Sequence, residues 1–379
     1  MKKSKSLIGK VLFGKYEIIK LLGSGGMDSE VYVAKNLKYN ANDYFDEKFK
    51  YAAVKIIYKT PETTLDHWNR ILDEGVTNAR LSKNDYIVRL FDFHQPNSTT
   101  IILIMEYLDG PSLKTLIRER GCISVPEALS IFKKIVLGVC YMHSRERVII
   151  HRDLKPENIL MSKDLLDVKI ADFGISSVVD QSSGYDNVLT YETTFFGTIA
   201  YVSPDAVKVV NKDGKNKMPL VTKQFDFHSL GIILYEMLIG EKPFEINDEN
   251  DPKIISYFST FDITPMKKIN PKIRNEIENI FIRLTASKEK DFHLRYTDSQ
   301  EILDDINNAE EAISLNKKEE KSLKPESKRV YQNIVPLKEK NNAFFVKVLM
   351  KKPFVLFYTI ILILLVLLVI IFGPVGYTW

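Results

Sequence analysis

Short apolar runs dominate the first hundred residues, and longer periodic ones follow. Tyr16-Glu17-Ile18-Ile19-Lys20-Leu21-Leu22 and Val31-Tyr32-Val33-Ala34 read as two strands joined by a turn at Gly23-Ser24-Gly25-Gly26. Asn36 to Lys50 is a polar loop rich in Asn, Asp and Lys, longer than a hairpin needs. It leads into Tyr51-Ala52-Ala53-Val54-Lys55-Ile56-Ile57, an apolar strand interrupted by one lysine. A helical segment is predicted around His67 to Ser82, then a buried strand at Ile101-Ile102-Leu103-Ile104-Met105. Two helical patterns cover Ser112 to Met142, with Pro126 near the start of the second. Val148-Ile149-Ile150 and Val168-Lys169-Ile170-Ala171 are short strands, each running into a polar loop. Val209 to Thr222, rich in Lys, Asn and Gly, reads as an exposed insertion, and an apolar helix opens at Asp226 and ends near Gly240. The segments to about Ala312 read as further helices.

Beyond Asn316 the pattern changes. Lys317-Lys318-Glu319-Glu320-Lys321 and Lys328-Arg329, with few large apolar residues before Phe344, predict a disordered linker. Phe354 to Phe372 is a run of 19 residues in which only Tyr358 and Thr359 carry polar atoms. A helix of that length rises to roughly the 30 Å of a hydrocarbon layer, and a core helix would show a polar face. Lys347, Lys351 and Lys352 precede the run, which puts the bulk of the chain on the cytoplasmic side. The seven residues Gly373 to Trp379 leave no room for a folded outer domain.

The 379 residues allow one large two-lobed unit or two to three domains. Apolar content of 45% and charged content of 27% are ordinary for a globular protein with a sizeable core. A formal charge of +4 is too small at this length to point to nucleic acid. Cys122 and Cys140 are the only cysteines, read as core thiols in a reducing compartment, and no Cys/His spacing suggests zinc. The basic start Met1 to Lys10 is not followed by an apolar core, which argues against a secretory signal peptide.

Candidate chemistry centres on His151-Arg152-Asp153-Leu154-Lys155-Pro156-Glu157-Asn158, which places an acid, a base and an amide within eight residues of a strand end. Asp172-Phe173-Gly174 follows nineteen residues after Asp153. Two carboxylates and an amide on such loops form a cation and phosphate site, because Mg²⁺ takes hard oxygen ligands. Lys55 is either an edge-strand lysine or a phosphate holder pointing into a cleft. Gly-x-Gly alone is an ordinary hairpin signal. Here a strand follows it, which disfavours a dinucleotide fingerprint and suits a loop that covers phosphates.

In this order and spacing, the motifs resemble those of protein kinases from Tyr16 to about Ala312, most closely the bacterial eukaryotic-like (Hanks-type) serine/threonine kinases, which are often membrane-tethered. The resemblance implies an α+β, two-lobed fold: a small β-rich lobe over 16–105, a hinge at 106–110 and a larger helical lobe over 111–312. A tail over 1–15 precedes it; a linker over 313–353, a transmembrane helix over 354–372 and a short outer tail over 373–379 follow. It implies ATP with Mg²⁺, or Mn²⁺, as cofactors. Asp153 would be the base, Lys155 the neutraliser of transferred charge, and Lys55 with Glu74 the phosphate holders; Asp73 is the adjacent rival, and the family register favours Glu74. Asn158 and Asp172 would ligate the metal. Gly23, Gly25 and Gly26 would cover the phosphates. Leu22, Val31, Ala53, Met105 and Leu160 would line an adenine pocket, with backbone groups of Glu106 and Leu108 bonding the ring. Asp226 would brace the catalytic loop through its N–H groups. Lys155 and Thr198 suit hydroxyl acceptors on proteins.

Arg152 suggests a switch in which phosphorylated Thr194, with Thr193 and Thr190 as neighbours, orders the segment 172–205. Membrane confinement implies self-association and autophosphorylation in trans. The sequence departs from the family at the third glycine, where Met27-Asp28-Ser29-Glu30 stands with Asp28 expected outward, at Asn78 in place of an apolar residue, and at Asp205 where Glu is usual, still expected to pair with Arg295. A pseudokinase scaffold would require loss of Asp153, Asp172 or Lys55, and all three are present. A small-molecule kinase is disfavoured by Gly197-Thr198 and Ser203-Pro204-Asp205.

Overall fold

The structure, a computed structural model, describes residues 7–25, 29–39, 49–61, 63, 65, 68–69, 72, 81, 83–172, 177–180, 199–203, 222–243, 265–271, 273–286 and 289–320. Six antiparallel strands form the first layer: β1 (Val11–Leu12), β2 (Tyr16–Gly25), β3 (Ser29–Asn36), β4 (Tyr51–Tyr58), β5 (Leu90–Asn97) and β6 (Thr100–Glu106), in the order β1-β2-β3-β4-β6-β5. Successive side chains point to opposite faces of a strand. One face therefore buries Tyr16, Ile18, Tyr32, Ala34, Ala52, Val54, Ile56, Ile102 and Ile104 in a single cluster. Val31, Lys55 and Leu103 stand in one cross-strand row on the other face, with Val33, Ala53 and Met105 in the next. The second face also holds Trp68 against Ile57, Ile101 and Leu103.

Two boundaries differ from the hydropathy reading. β2 continues through Gly23 and Ser24 to Gly25, because Gly23 pairs Val31 and Gly25 pairs Ser29, with register shifts absorbing the irregularity. Pairing to β3 overrides the turn preference of the glycines. At the other end, Val11–Leu12 joins the sheet, where Gly9 N–H donates to Ile18 O at 2.8 Å and Ile18 N–H to Lys10 O at 2.9 Å. Of the predicted helix around His67 to Ser82, the described residues Trp68, Asn69, Leu72 and Leu81 are helical.

The second layer is helical: α1 (Leu113–Arg120), α2 (Val125–His143), α3 (Gln224–Ile239), α4 (Met266–Ile269), α5 (Asn275–Thr285) and α6 (Ser299–Glu320). Ser112 caps α1 by accepting from Thr115 N–H, and Pro126 sits in the first turn of α2, where its missing donor costs nothing. α3 is buried from Phe225 to Leu238, with apolar side chains on every side and Asp226, His228, Ser229 and Glu236 buried among them. It ends at Gly240, whose φ of +90° supplies the left-handed cap. A Cβ on Gly231 would lie 2.5 Å from Thr285 Cγ2, which is how α3 and α5 approach so closely. These helices share one core that includes Phe132, Phe227, Tyr235, Phe281 and Tyr296.

Short strands stitch the loops between these layers. β7 (Arg147–Ile150) pairs antiparallel with β10 (Ser177–Asp180), and β8 (Ile159–Met161) with β9 (Val168–Ile170). Val88 N–H donates to Ile170 O and Ile170 N–H to Tyr86 O, both at 2.9 Å, tying the sheet layer to β9. The two cysteines are half-buried rather than core, and burial pushes the Cys140 thiol up to about 11. Among the described residues no helix is long and apolar enough to cross a membrane; Phe354 to Phe372 lies outside them. The chain divides into a compact unit over Met1–Ser314 and a second over Leu315–Trp379.

Candidate active site

The loop after β7 is built on one buried carboxylate. Asp226, in the first turn of α3, is fully buried; its Oδ2 accepts from His151 N–H and its Oδ1 from Arg152 N–H, each at 2.9 Å. His143 Nε2–H donates to the same Oδ2 at 2.8 Å, and His143 Nδ1 lies 3.1 Å from Ser299 Oγ. Burial alone would raise the Asp226 pKa. The His143 hydrogen bond and charge, His151 and the Arg152 N–H outweigh it and hold the carboxyl below its ordinary value. Arg152 takes φ +69°, a conformation that costs a non-glycine residue of order 1 kcal/mol and here is held by that carboxylate. The expected bracing role of Asp226 is thus present in the geometry.

Held this way, the loop presents Asp153. Lys155 Nζ donates to Asp153 Oδ2 at 2.8 Å, and Asn158 Nδ2 donates to Asp153 O at 2.9 Å and Oδ2 at 3.2 Å. Pro156 opens a single 3-10 turn, Pro156–Asn158, which turns Asn158 back over the loop. Asp153 N–H donates to His151 Nδ1 at 3.3 Å, so the ring carries its proton on Nε2, which donates to Ala171 O at 3.2 Å. The buried imidazole thereby couples Asp153 to the residue before Asp172. Asp172 itself has φ +64°.

Lys55 reaches across from β4 to Asp172, with Nζ to Oδ1 at 2.9 Å. β4 lies between β3 and β6, so Lys55 is not an edge-strand lysine. Among the described residues Asp172 is a carboxylate that it meets; Glu74 lies outside the described residues. Val31, Ala53 and Met105 share the face of Lys55, consistent with pocket walls, while Leu22 is largely exposed and Leu160 is half-buried, bridged to Ser112. Gly23 and Gly25 lie on β2, and Leu108 follows β6. Gly26, Asp28, Asn78, Phe173, Gly174, Thr190, Thr193, Thr194, Gly197, Thr198, Pro204 and Asp205 lie outside the described residues, as does the expected partner of Arg295.

Sequence reading missed the side chain of Glu106. It is buried and pairs with Lys169 Nζ at 2.8 Å, while Arg89 N–H donates to the same oxygen, Oε2, at 3.2 Å. These two charges connect the end of β6 to β9, three residues from Asp172, beside a polar cavity of about 410 Å³. A lysine in the middle of a three-residue strand gave no signal that it is buried and paired.

Chemically, the arrangement offers a carboxylate flanked by an ammonium, and an amide oxygen and a second carboxylate suited to a hard cation. Among the described residues no group of three His, Cys, Asp or Glu side chains is placed to hold a metal ion. The family model for the protein kinase domain matches residues 16–318. A protein of Mycoplasma genitalium assigned as a serine/threonine-protein kinase is 38% identical over 348 residues, covering 88% of each chain. One of Mycoplasma pneumoniae, similarly assigned, is 32% identical over 381 residues and 96% of each chain. Serine/threonine-protein kinase PrkC of Bacillus subtilis is 30% identical over 312 residues, 82% of this chain and 43% of that one.

Proposed function

The chain belongs to the protein kinase family and is a serine/threonine protein kinase, and on that premise we propose how its residues divide the work. Asp153 orients a serine or threonine hydroxyl of a protein substrate and accepts its proton. Lys155, already at Asp153, offsets the negative charge gathered at the transfer. Asn158 commits its amide nitrogen to Asp153, which leaves the amide oxygen for a metal beside the Asp172 carboxylate. Those two oxygens fit Mg²⁺ or Mn²⁺; when bound, ATP with its metal supplies the phosphoryl group and neutralises its charge. Lys55 presents an ammonium to the nucleotide phosphates, and the Val31, Ala53 and Met105 face, with Glu106 and Leu108 backbone groups, receives the adenine.

The observation that carries this reading is the Asp153–Lys155–Asn158 cluster together with the Lys55–Asp172 contact. Its test is transfer from γ-labelled ATP to a generic protein under Mg²⁺ or Mn²⁺, with Asp172→Asn alongside. Transfer by the native chain and loss in the variant are expected. Folded protein that binds nucleotide and moves no phosphate under either metal overturns it.

Three finer elements belong to the same proposal. Phosphorylated Thr194 pairs with Arg152 and orders the segment before Thr198; active protein with Thr190, Thr193 and Thr194 all bare refutes this. The run Phe354 to Phe372 anchors the kinase to the cytoplasmic face of a membrane, and copies confined there phosphorylate one another. Unchanged autophosphorylation after deletion beyond Met350 refutes that coupling.

A further inference from the structure

Serine is common at a helix start because its hydroxyl caps a free backbone N–H. Ser299, the first residue of α6, serves elsewhere. Gln300 N–H donates to Asp298 Oδ1 at 2.9 Å, and Glu301 Oε1 reaches back to accept from Thr297 N–H at 3.0 Å and Asp298 N–H at 3.2 Å, so those two carboxylates cap the helix. The Ser299 hydroxyl turns inward, is buried, and lies 3.1 Å from Nδ1 of His143, the last residue of α2. That ring packs at a tilt against Phe227 of α3, and its Nε2 meets Asp226 Oδ2 at 2.8 Å. Three helices thus converge on one buried imidazole with a polar partner at each nitrogen.

An imidazole ring turned by half a revolution places Cδ2 where Nδ1 was and Cε1 where Nε2 was. Asp226 favours one setting through a single bond, and Ser299 adds a second bond to the same setting. A hydroxyl suits either protonation state of the ring, since it donates to a bare nitrogen and accepts from an N–H. With the ring so fixed, Nε2–H stays on Asp226, whose two oxygens take the His151 and Arg152 N–H groups at 2.9 Å each. Arg152 directly precedes Asp153. The path from α6 to the catalytic loop therefore runs through Ser299, His143 and Asp226, all buried, where a lost partner is not replaced from bulk water. We propose that Ser299 is a positioning residue for phosphoryl transfer, acting through His143 and Asp226 on the backbone that presents Asp153. The proposal rests on the kinase reading of that aspartate.

The experiment compares the full chain with Ser299→Ala, Ser299→Thr and, as a control at the same helix start, Glu301→Ala, which weakens the α6 cap and leaves the His143 contacts alone. Each is read by phosphoryl transfer to a generic protein, by thermal melting and by the imidazole nitrogen spectrum of histidine-labelled protein. The chain has six histidines, and His143→Gln assigns the signal. Ser299→Ala is expected to lower kcat about tenfold at unchanged KM for ATP, and to speed solvent exchange of the His143 Nε2 proton. Ser299→Thr, which keeps the hydroxyl, is expected to restore both readings. Glu301→Ala is expected to melt at a lower temperature with kcat within about twofold of native. A Ser299→Ala enzyme with native kcat, a loss that Glu301→Ala matches, or a folded Ser299→Thr that restores neither reading overturns the proposal and leaves the kinase reading standing. A native chain that transfers no phosphate ends both.

Discussion

Replacing Asp226 with Asn leaves the shape of α3 intact and removes one acceptor from a site that uses both. The native carboxylate holds His151 N–H and Arg152 N–H at 2.9 Å each and His143 Nε2–H at 2.8 Å, with no access to water. The amide can satisfy only one side, and its NH₂ faces a donor on the other. An unsatisfied buried donor costs about 1–3 kcal/mol, and breaking a buried ionic contact by removing one partner costs about 3–5 kcal/mol. The expected loss is therefore about 3–5 kcal/mol, a large share of the ~5–15 kcal/mol that holds a native protein together. It is read as a fall in the urea midpoint at unchanged slope. Arg152, no longer held at φ +69°, relaxes and shifts Asp153; a displacement of about 1 Å costs roughly a hundredfold in kcat. The pH dependence has a definite sign. The folded carboxyl sits below its ordinary value, so its contribution is present at neutral pH and is lost as pH falls below about 4. Asp226→Asn should flatten that acid limb. A variant within 1 kcal/mol of native stability, with kcat unchanged, would refute the claim that this carboxylate sets the loop.

Other substitutions separate chemistry from stability. Lys55→Met should lower kcat/KM by about a hundredfold or more while changing stability by less than about 1 kcal/mol, because its contact to Asp172 is partly exposed; a melting shift without loss of phosphoryl transfer contradicts this. Glu106→Leu or Lys169→Met alone should each destabilise by about 3–5 kcal/mol, and the double variant by far less, a cycle read by denaturant midpoints. His228 is fully buried with Nε2 unpartnered, and burial, with Arg295 nearby, pushes its pKa down to about 3. The unfolded chain takes up the proton first, so native stability should fall by about 2 kcal/mol between pH 7 and pH 5 on this account, and His228→Leu should remove that slope.

The candidate site was legible in the sequence where the residues that meet are neighbours. Asp153, Lys155 and Asn158 sit within one short loop, and Lys55 stands out as a charge inside an apolar strand, so pattern and spacing reached them directly. The sheet was legible where β-branched runs alternate. It was not legible in β5, whose Leu90 to Asn97 mixes His, Gln, Pro and Asn, nor in β1, only two residues long. The buried partners escaped for a different reason. Asp226 with His143, Glu106 with Lys169 and Lys114 with Glu236 stand 83, 63 and 122 residues apart. Periodicity tells which face of an element is apolar, but not which distant charge will meet which.

Lys55 is mounted on the sheet, whose apolar cluster is separate from the core that holds α3 and, through Asp226, the catalytic loop. A tilt of one layer on the other changes where the ammonium sits without loosening Asp153, Lys155 or Asn158.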